Sequence, residues 1–410
     1  MRQLVSNRYD DYKDSGVEWL GEVPDSWVVT RNKSIFEERG SLSDSGNETL
    51  LTVSHITGVT QRAEKTVNMF MAETMEGYKL CETGDLIINT MWAWMGALGT
   101  TNQKGICSPA YGVYKPKSHK PYNYKYFDYL YRTPHSIVEM TRNSKGIVSS
   151  RLRLYPKDFF QIQTALPSEV EQKVIANYLN IKTTQIDQEI TLLSQKAEQY
   201  GKLKQSLINE TVTRGLDKTV AMKESGVEWM GEIPEHWNIM RLKQHVSFKK
   251  GKTPNILGDD SSCFPYLSMD FLRGKNKPVN YVIPQKGLVL VSKGDHLVLW
   301  DGANAGEMMQ AKMGYLSSTM ALISINKKIF NNTFFFYFLK SLEKTLKDFS
   351  NGTTIPHFSP SELIDKTYAF PPILEQKNIA NYLDKKTALI DTTVKTINTK
   401  IAKLKELRKT

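Results

Sequence analysis

A nine-residue string is written twice in this chain with a single change. Glu171-Gln172-Lys173-Val174-Ile175-Ala176-Asn177-Tyr178-Leu179 returns as Glu375-Gln376-Lys377-Asn378-Ile379-Ala380-Asn381-Tyr382-Leu383, 204 residues later. The apolar residues that follow keep step: Ile175, Leu179, Ile186, Ile190 and Leu193 in the first copy, and Ile379, Leu383, Ile390, Val394, Ile397 and Ile401 in the second. Steps of four and three are the seam of a coiled coil. Proline is absent from both ladders, and the one glycine, Gly201, falls late in the first. At about 1.5 Å rise per residue, about 36 residues make a rod roughly 54 Å long. Two such rods with matching seams in one chain are expected to pack on each other.

A second block repeats at nearly the same interval. Asp14-Ser15-Gly16-Val17-Glu18-Trp19-Leu20-Gly21-Glu22-Val23-Pro24-Asp25-Ser26-Trp27 has its counterpart in Glu224-Ser225-Gly226-Val227-Glu228-Trp229-Met230-Gly231-Glu232-Ile233-Pro234-Glu235-His236-Trp237, 210 residues on. The chain is therefore a tandem duplication of entry block, globular part and long helix. Trp19, Trp27, Trp229 and Trp237 read as packing residues of a turn that anchors each globular part. Between the blocks, Gly84-Asp85 before Leu86-Ile87-Ile88 matches Gly294-Asp295 before His296-Leu297-Val298, a turn feeding a strand. Further strands are predicted at 110–114 and 320–325, aromatic-rich helical stretches at 122–131 and 334–342, and Gly-led polar loops at 143–153 and 351–360. The predicted fold class is mixed α/β: two pseudo-repeated globular domains over 1–167 and 215–370, separated by two long coiled-coil helices over 168–214 and 371–410.

Composition limits what such a chain does. A length of 410 residues with 40% hydrophobic, 24% charged and 10% aromatic residues is globular and too long for a single ordinary core. The formal net charge of +11 favours an anionic partner such as nucleic acid. Cys81, Cys107 and Cys263 lie far apart without a CxxC pair, so they read as free thiols of a reducing compartment. The N-terminus carries no signal-peptide apolar core, and the most apolar run, Phe334–Leu339, is too short to span a bilayer. A soluble, cytoplasmic protein with no membrane partner is the expectation.

No motif for chemistry survives inspection. Gly251-Lys252-Thr253 imitates the end of a P-loop, yet Val246 occupies the position that needs glycine and Pro254 obstructs the helix that must follow. Phe370-Pro371-Pro372-Ile373 lacks both the amide or acid and the aromatic residue of an amino-methyltransferase motif. No GxGxxG follows a strand, and the seven histidines include no HExxH or other metal-binding pair. Pro24-Asp25 fails as a nuclease opening because its mate is Pro234-Glu235 and no Glu-x-Lys follows. Binding is the better expectation, with no cofactor or metal on this chain.

The paired Gly-Val-Glu-Trp-hydrophobic-Gly-Glu-hydrophobic-Pro-x-x-Trp blocks, and the paired Pro-x-x-x-Glu-Gln-x-x-Ile-Ala-x-Tyr-Leu helix starts, resemble those of type I restriction-modification specificity subunits. The resemblance covers essentially the whole chain. It implies that each globular part is a target recognition domain reading one half of a bipartite site in double-stranded DNA. It further implies that the two long coiled-coil helices pack antiparallel as a spacer, and that the ladders from Ile175 to Leu193 and from Ile379 to Ile401 dock two modification (methyltransferase) subunits. Restriction/translocase subunits would join that core, and S-adenosylmethionine, ATP and Mg would act on the partners, because the specificity subunit itself is not an enzyme. A duplicated coiled-coil scaffold that binds proteins is the alternative from another class, and a self-contained methyltransferase or nuclease is a third.

Base reading needs side chains on base edges, whereas phosphate contacts only position the protein. Polar or basic Gly-bearing loops between strands are the candidates. In the first half these place His55, Trp92, Trp94, Lys145, Ser149, Arg151 and Arg153 at the interface. In the second they place Lys249, Lys250, Lys252, Thr253, Arg273, Lys275, Asn304, Thr353, Thr354 and His357 there. The lysine runs suit phosphate better than bases, and one of the alternating Trp92 and Trp94 is expected to face the core. From Pro371 to Thr410 nine Lys or Arg stand against four Asp or Glu, a bias that a solvated helix face explains as well as a DNA or partner contact does.

Overall fold

The structure is a computed structural model that describes residues 9–64, 74–148, 151–227, 230–274, 280–350 and 356–408. Ser149, Trp229, Lys275, Thr353 and Thr354 lie outside the described residues. The chain divides into two compact units, Met1–Thr191 with Ile401–Thr410, and Leu192–Lys400.

Each globular part is built to one plan. The entry block is an antiparallel hairpin, Tyr12–Asp14 with Glu22–Pro24 in the first half and Met222–Glu224 with Glu232–Pro234 in the second. A four-stranded antiparallel sheet follows. Its order is Phe36–Glu38, Tyr111–Pro116, Leu86–Asn89, Leu98–Thr100 in the first unit and Val246–Lys250, Met320–Ile325, His296–Leu299, Met308–Gln310 in the second. The registers correspond: Tyr114 lies opposite Glu38 and Leu86, as Ile323 lies opposite Phe248 and His296. The strand that leads into each long helix, Gln163–Leu166 or Thr367–Phe370, pairs with the strand after the entry block, Val28–Arg31 or Asn238–Arg241.

The halves differ where their sequences diverge. Pro134 is tolerated only in a first helical turn, so the first half breaks its aromatic stretch into Tyr124–Tyr131 and Pro134–Arg142, with Thr133 capping the second piece. The second half runs one uninterrupted helix, Asn332–Ser350. The first unit adds a hairpin, Leu51–Ser54 with Gly58–Gln61, and a pair, Lys79–Cys81 with Gly105–Cys107. The second adds a five-stranded sheet of short strands.

The long helices span Glu169–Arg214 and Ile373–Leu407. In the second unit Ile208 and Val212 share one core with Ile379, Ala380, Leu383, Trp237 and Phe370. Lys204 Nζ pairs with Asp391 at 2.7 Å, and Gly215 lies against the Glu375 carboxylate, so numbers rise in one helix as they fall in the other. This is antiparallel packing. In the first unit Arg408 Nε reaches Asp187 at 3.2 Å.

The repeated Glu-Gln dipeptide has a physical cause. Trp27 Nε1 donates to Glu171 at 2.9 Å, and Trp237 Nε1 donates to Glu375 at 3.2 Å, so the glutamate ties the entry block to the helix. The buried glutamine beside it bridges three backbone groups. Gln172 donates to the Pro121 and Pro167 carbonyls and accepts from Asn123 N; Gln376 donates to Ile329 and Pro371 and accepts from Asn331 N. Asn123 and Asn331 in turn cap the globular part's helix, accepting from Tyr126 N and Phe334 N. Farther along the rods, the hydroxyls of Tyr129 and Tyr337 meet those of Thr183 and Thr387 at 3.2 and 2.9 Å.

One core position carries a testable charge. His296 is buried beside the Phe335 and Phe336 rings, and burial pushes its imidazole down to about 4. An unfolded histidine titrates near 6.5, so between these values the unfolded chain binds the extra proton and acid favours unfolding. Stability is expected to be complete above pH about 6.5 and to fall by about 3 kcal/mol toward pH 4. His296→Leu, which installs the residue that the first half carries at the same register position (Leu86), should flatten that dependence in urea unfolding.

Candidate nucleic-acid interface

Each half presents a crossing of two loops at the end of its central strand. Asn89 N donates to Ala97 O and Leu299 N to Glu307 O, both at 2.9 Å, and close the first loop. Leu154 N to Thr90 O at 3.0 Å, and Phe358 N to Trp300 O at 2.8 Å, dock the second loop onto it. Both turns need a left-handed glycine, Gly96 (φ 84°) and Gly306 (φ 89°), and a Cβ on Gly96 would sit 2.7 Å from Ile137 Cδ1.

In the first half this crossing gathers most of the predicted residues. Trp92 is half exposed. Trp94 is more sheltered and turned back, its Nε1 donating to Met91 O at 2.9 Å. Lys145 and Arg153 exchange two backbone hydrogen bonds of 2.8 Å, which pinches the loop between them and leaves Lys145, Arg151 and Arg153 at the surface. His55 stands apart, at the exposed tip of the 51–61 hairpin. That tip is held by Arg132, whose Nη2 donates to Ile56 O at 2.8 Å and which Asp128 steadies at 3.4 Å. Arg132 escaped the sequence reading because it ends a helical stretch and has no loop signature.

In the second half Lys250 Nζ and His357 Nδ1 converge on Asp301, at 2.8 and 2.5 Å, and Lys250 lies 5.6 Å from the Trp300 ring centre. Thr253 meets Ser318 at 3.0 Å, and Lys249, Lys252 and Asn304 are exposed. Arg273 is held by Glu307, and that hydrogen bond raises its guanidinium pKa further, so it is an engaged cation and not a free phosphate contact.

The ladder residues named for subunit docking face inward. Ile379, Leu383, Ile390 and Ile397 are buried, and Ile175, Leu179, Ile186, Ile190, Leu193, Val394 and Ile401 are half-buried. Ile379 and Leu383 pack with Ile208 and Val212 in the second unit's core, and Ile175 packs against the core of the first. Exposed apolar residues of the first unit instead follow a different stripe, Val170, Val174, Tyr178 and Ile181.

Sequence distance also hid a thiol pair. Cys81 and Cys107 Sγ atoms are 3.5 Å apart in the buried core under the hairpin. The hydrogen bond between them, reinforced by burial, pushes the Cys81 thiol well up and keeps it protonated. Among the described residues no group of three or more His, Cys, Asp or Glu side chains could hold a metal ion, and no helix is long and apolar enough to cross a membrane.

Residues 234–405 match the family model of the type I restriction modification DNA specificity domain. This stretch belongs to the type I restriction-modification specificity family. The first half repeats its frame, and the whole chain resembles a type I specificity subunit. It is 36% identical over 179 residues to the type I restriction enzyme MjaVIII specificity subunit of Methanocaldococcus jannaschii, a match covering 43% of this chain and 41% of that one. The chain thus spans less than half the length of that curated relative. Its fold is similar to a chain from a structure titled as the basis of complex assembly and conformational transition of the type I R-M system. The TM-score is 0.70 at 16% identity, covering 94% of this chain and 96% of that chain. It is also similar to the HsdS subunit from Thermoanaerobacter tengcongensis, with a TM-score of 0.58 at 16% identity, covering 94% and 95%.

Proposed function

We propose that this chain is the DNA sequence-recognition subunit of a type I restriction-modification complex. The domains over 1–167 and 215–370 each read one half of a bipartite duplex target, and the helices over 168–214 and 371–410 set the distance between the halves. The observation that carries this reading is the duplicated loop crossing, one backbone frame bearing unlike exposed side chains in its two copies. A common frame with different readers is what two different half-sites require. A net charge of +11 supports attraction to phosphate.

The subunit directs chemistry and performs none. Two modification subunits dock along the long helices, with the exposed stripe Val170, Val174, Tyr178 and Ile181 as an apolar contact on the first of them. Restriction/translocase subunits complete the assembly in the cytoplasm. S-adenosylmethionine, ATP and Mg act on those partners.

The test is selection of bound duplexes from a random library by the full chain, alone and with a methyltransferase partner. Two short specified segments separated by a fixed unspecified gap are expected. Equal affinity for every sequence would favour the protein-binding scaffold, and methyl transfer by the chain alone would favour an enzyme.

A further inference from the structure

The strand registers and the loop-docking hydrogen bonds place three residues of one half on three of the other. Lys250 lies two residues beyond Phe248, as Gly40 lies two beyond Glu38, and these two strand residues hold the same register position. Asp301 follows Trp300 as Met91 follows Thr90, and His357 precedes Phe358 as Arg153 precedes Leu154, around the same docking bond. The docking bond and strand register are shared and the three side chains are replaced together, while the bridge beside them differs: Asp301 bridges His357, and Arg153 bridges Lys145.

From this we infer that Lys250, Asp301 and His357 form the base-reading cluster of the second half, that Arg153 alone stands at the matching place in the first, and that Asp301 is its positioning residue. This inference rests on the DNA-recognition reading above. One oxygen of Asp301 faces Lys250 Nζ at 2.8 Å and the other lies 2.5 Å from His357 Nδ1 without hydrogen-bond geometry, so the carboxylate holds these two neighbours by charge and close contact rather than meeting a base. A carboxylate facing Nδ1 favours the ring tautomer that carries its proton on that nitrogen. In the neutral ring Nε2 is then an acceptor, standing beside the ammonium donors of Lys250. One acceptor beside a donor complements the adenine edge, which offers an N6 amino group and the N7 lone pair. The first half has Met91 and Gly40 in place of the acid and the lysine. Arg153 therefore presents a forked donor without an acid at Met91 or a second cation at Gly40, the chemistry of a guanine O6/N7 contact.

Selection from random duplexes with the full chain and its variants tests this. Asp301→Ala and His357→Ala are each expected to relax the same position of the second half-site, lowering its adenine preference about 10-fold and leaving the first half-site unchanged. Asp301→Asn, which keeps an oxygen facing Nδ1, should retain more of that preference than Asp301→Ala. Arg153→Ala, on an exposed side chain whose loss threatens no core, should relax one guanine position of the first half-site only. Variants that weaken binding evenly across all sequences, or that leave every position as selective as before, would overturn the inference. A wild-type chain that enriches no sequence would instead overturn the DNA-recognition reading beneath it.

Discussion

Gln376→Leu is expected to lower the stability of the second unit by about 3 kcal/mol or more, a large loss for a side chain of similar size. The glutamine is buried and makes three hydrogen bonds, to the Ile329 and Pro371 carbonyls and from Asn331 N. Leucine fills the space but leaves all three backbone groups in the core without that partner. Each buried orphan costs about 1–3 kcal/mol, while the added apolar area returns only part of this. The loss would not stay local. Asn331 caps the helix Asn332–Ser350, whose aromatic face (Phe334, Phe335, Phe338) is the centre of this unit's core. Gln172→Leu should behave alike in the first unit through Pro121, Pro167 and Asn123. Urea unfolding of the full chain reads both. A change below about 0.5 kcal/mol would mean that water or a shifted backbone satisfies these groups, and the clamp would not be what keeps the dipeptide in both copies.

These clamps also mark where sequence reading succeeds and where it stops. The 4–3 ladders announced both long helices because burying one stripe of a helix leaves a periodic trace in the chain itself. Gly84-Asp85 and Gly294-Asp295 announced their strands for a similar reason: the turn and the apolar run are adjacent in sequence. The Glu-Gln repeat was visible, yet its purpose was not, because the partners Asn123 and Asn331 lie some fifty residues away in loops without a period. The Cys81–Cys107 contact was hidden for the same reason. The five-stranded sheet of the second half was missed because two-residue strands such as Leu257–Gly258 and Tyr281–Val282 are too short to alternate. The ladder marks a stripe that folding draws inward, since the residues that make a stripe legible are those that packing removes from the surface.

At the candidate interface the Gly-led loops were legible from composition, whereas their grouping was not. Lys250, Asp301 and His357 come from three separate segments, and the docking bonds from Phe358 N to Trp300 O and from Gly302 N to Pro356 O bring the last two together. Arg273 shows the converse. It stands in a basic run that advertises phosphate binding, but the fold sets Glu307 beside it.

The most direct measurement of the central claim is the preferred gap between half-sites after one heptad is deleted from each long helix at opposed positions. Seven residues remove about 10 Å of helix, close to three base pairs at about 3.4 Å each. Keeping whole heptads preserves the buried seam, so the pairing should survive the cut. Duplex selection with the shortened chain is then expected to return the same two half-site sequences separated by a gap about three base pairs shorter. Recovery of the original gap with both half-sites intact would contradict a spacing role for the paired helices.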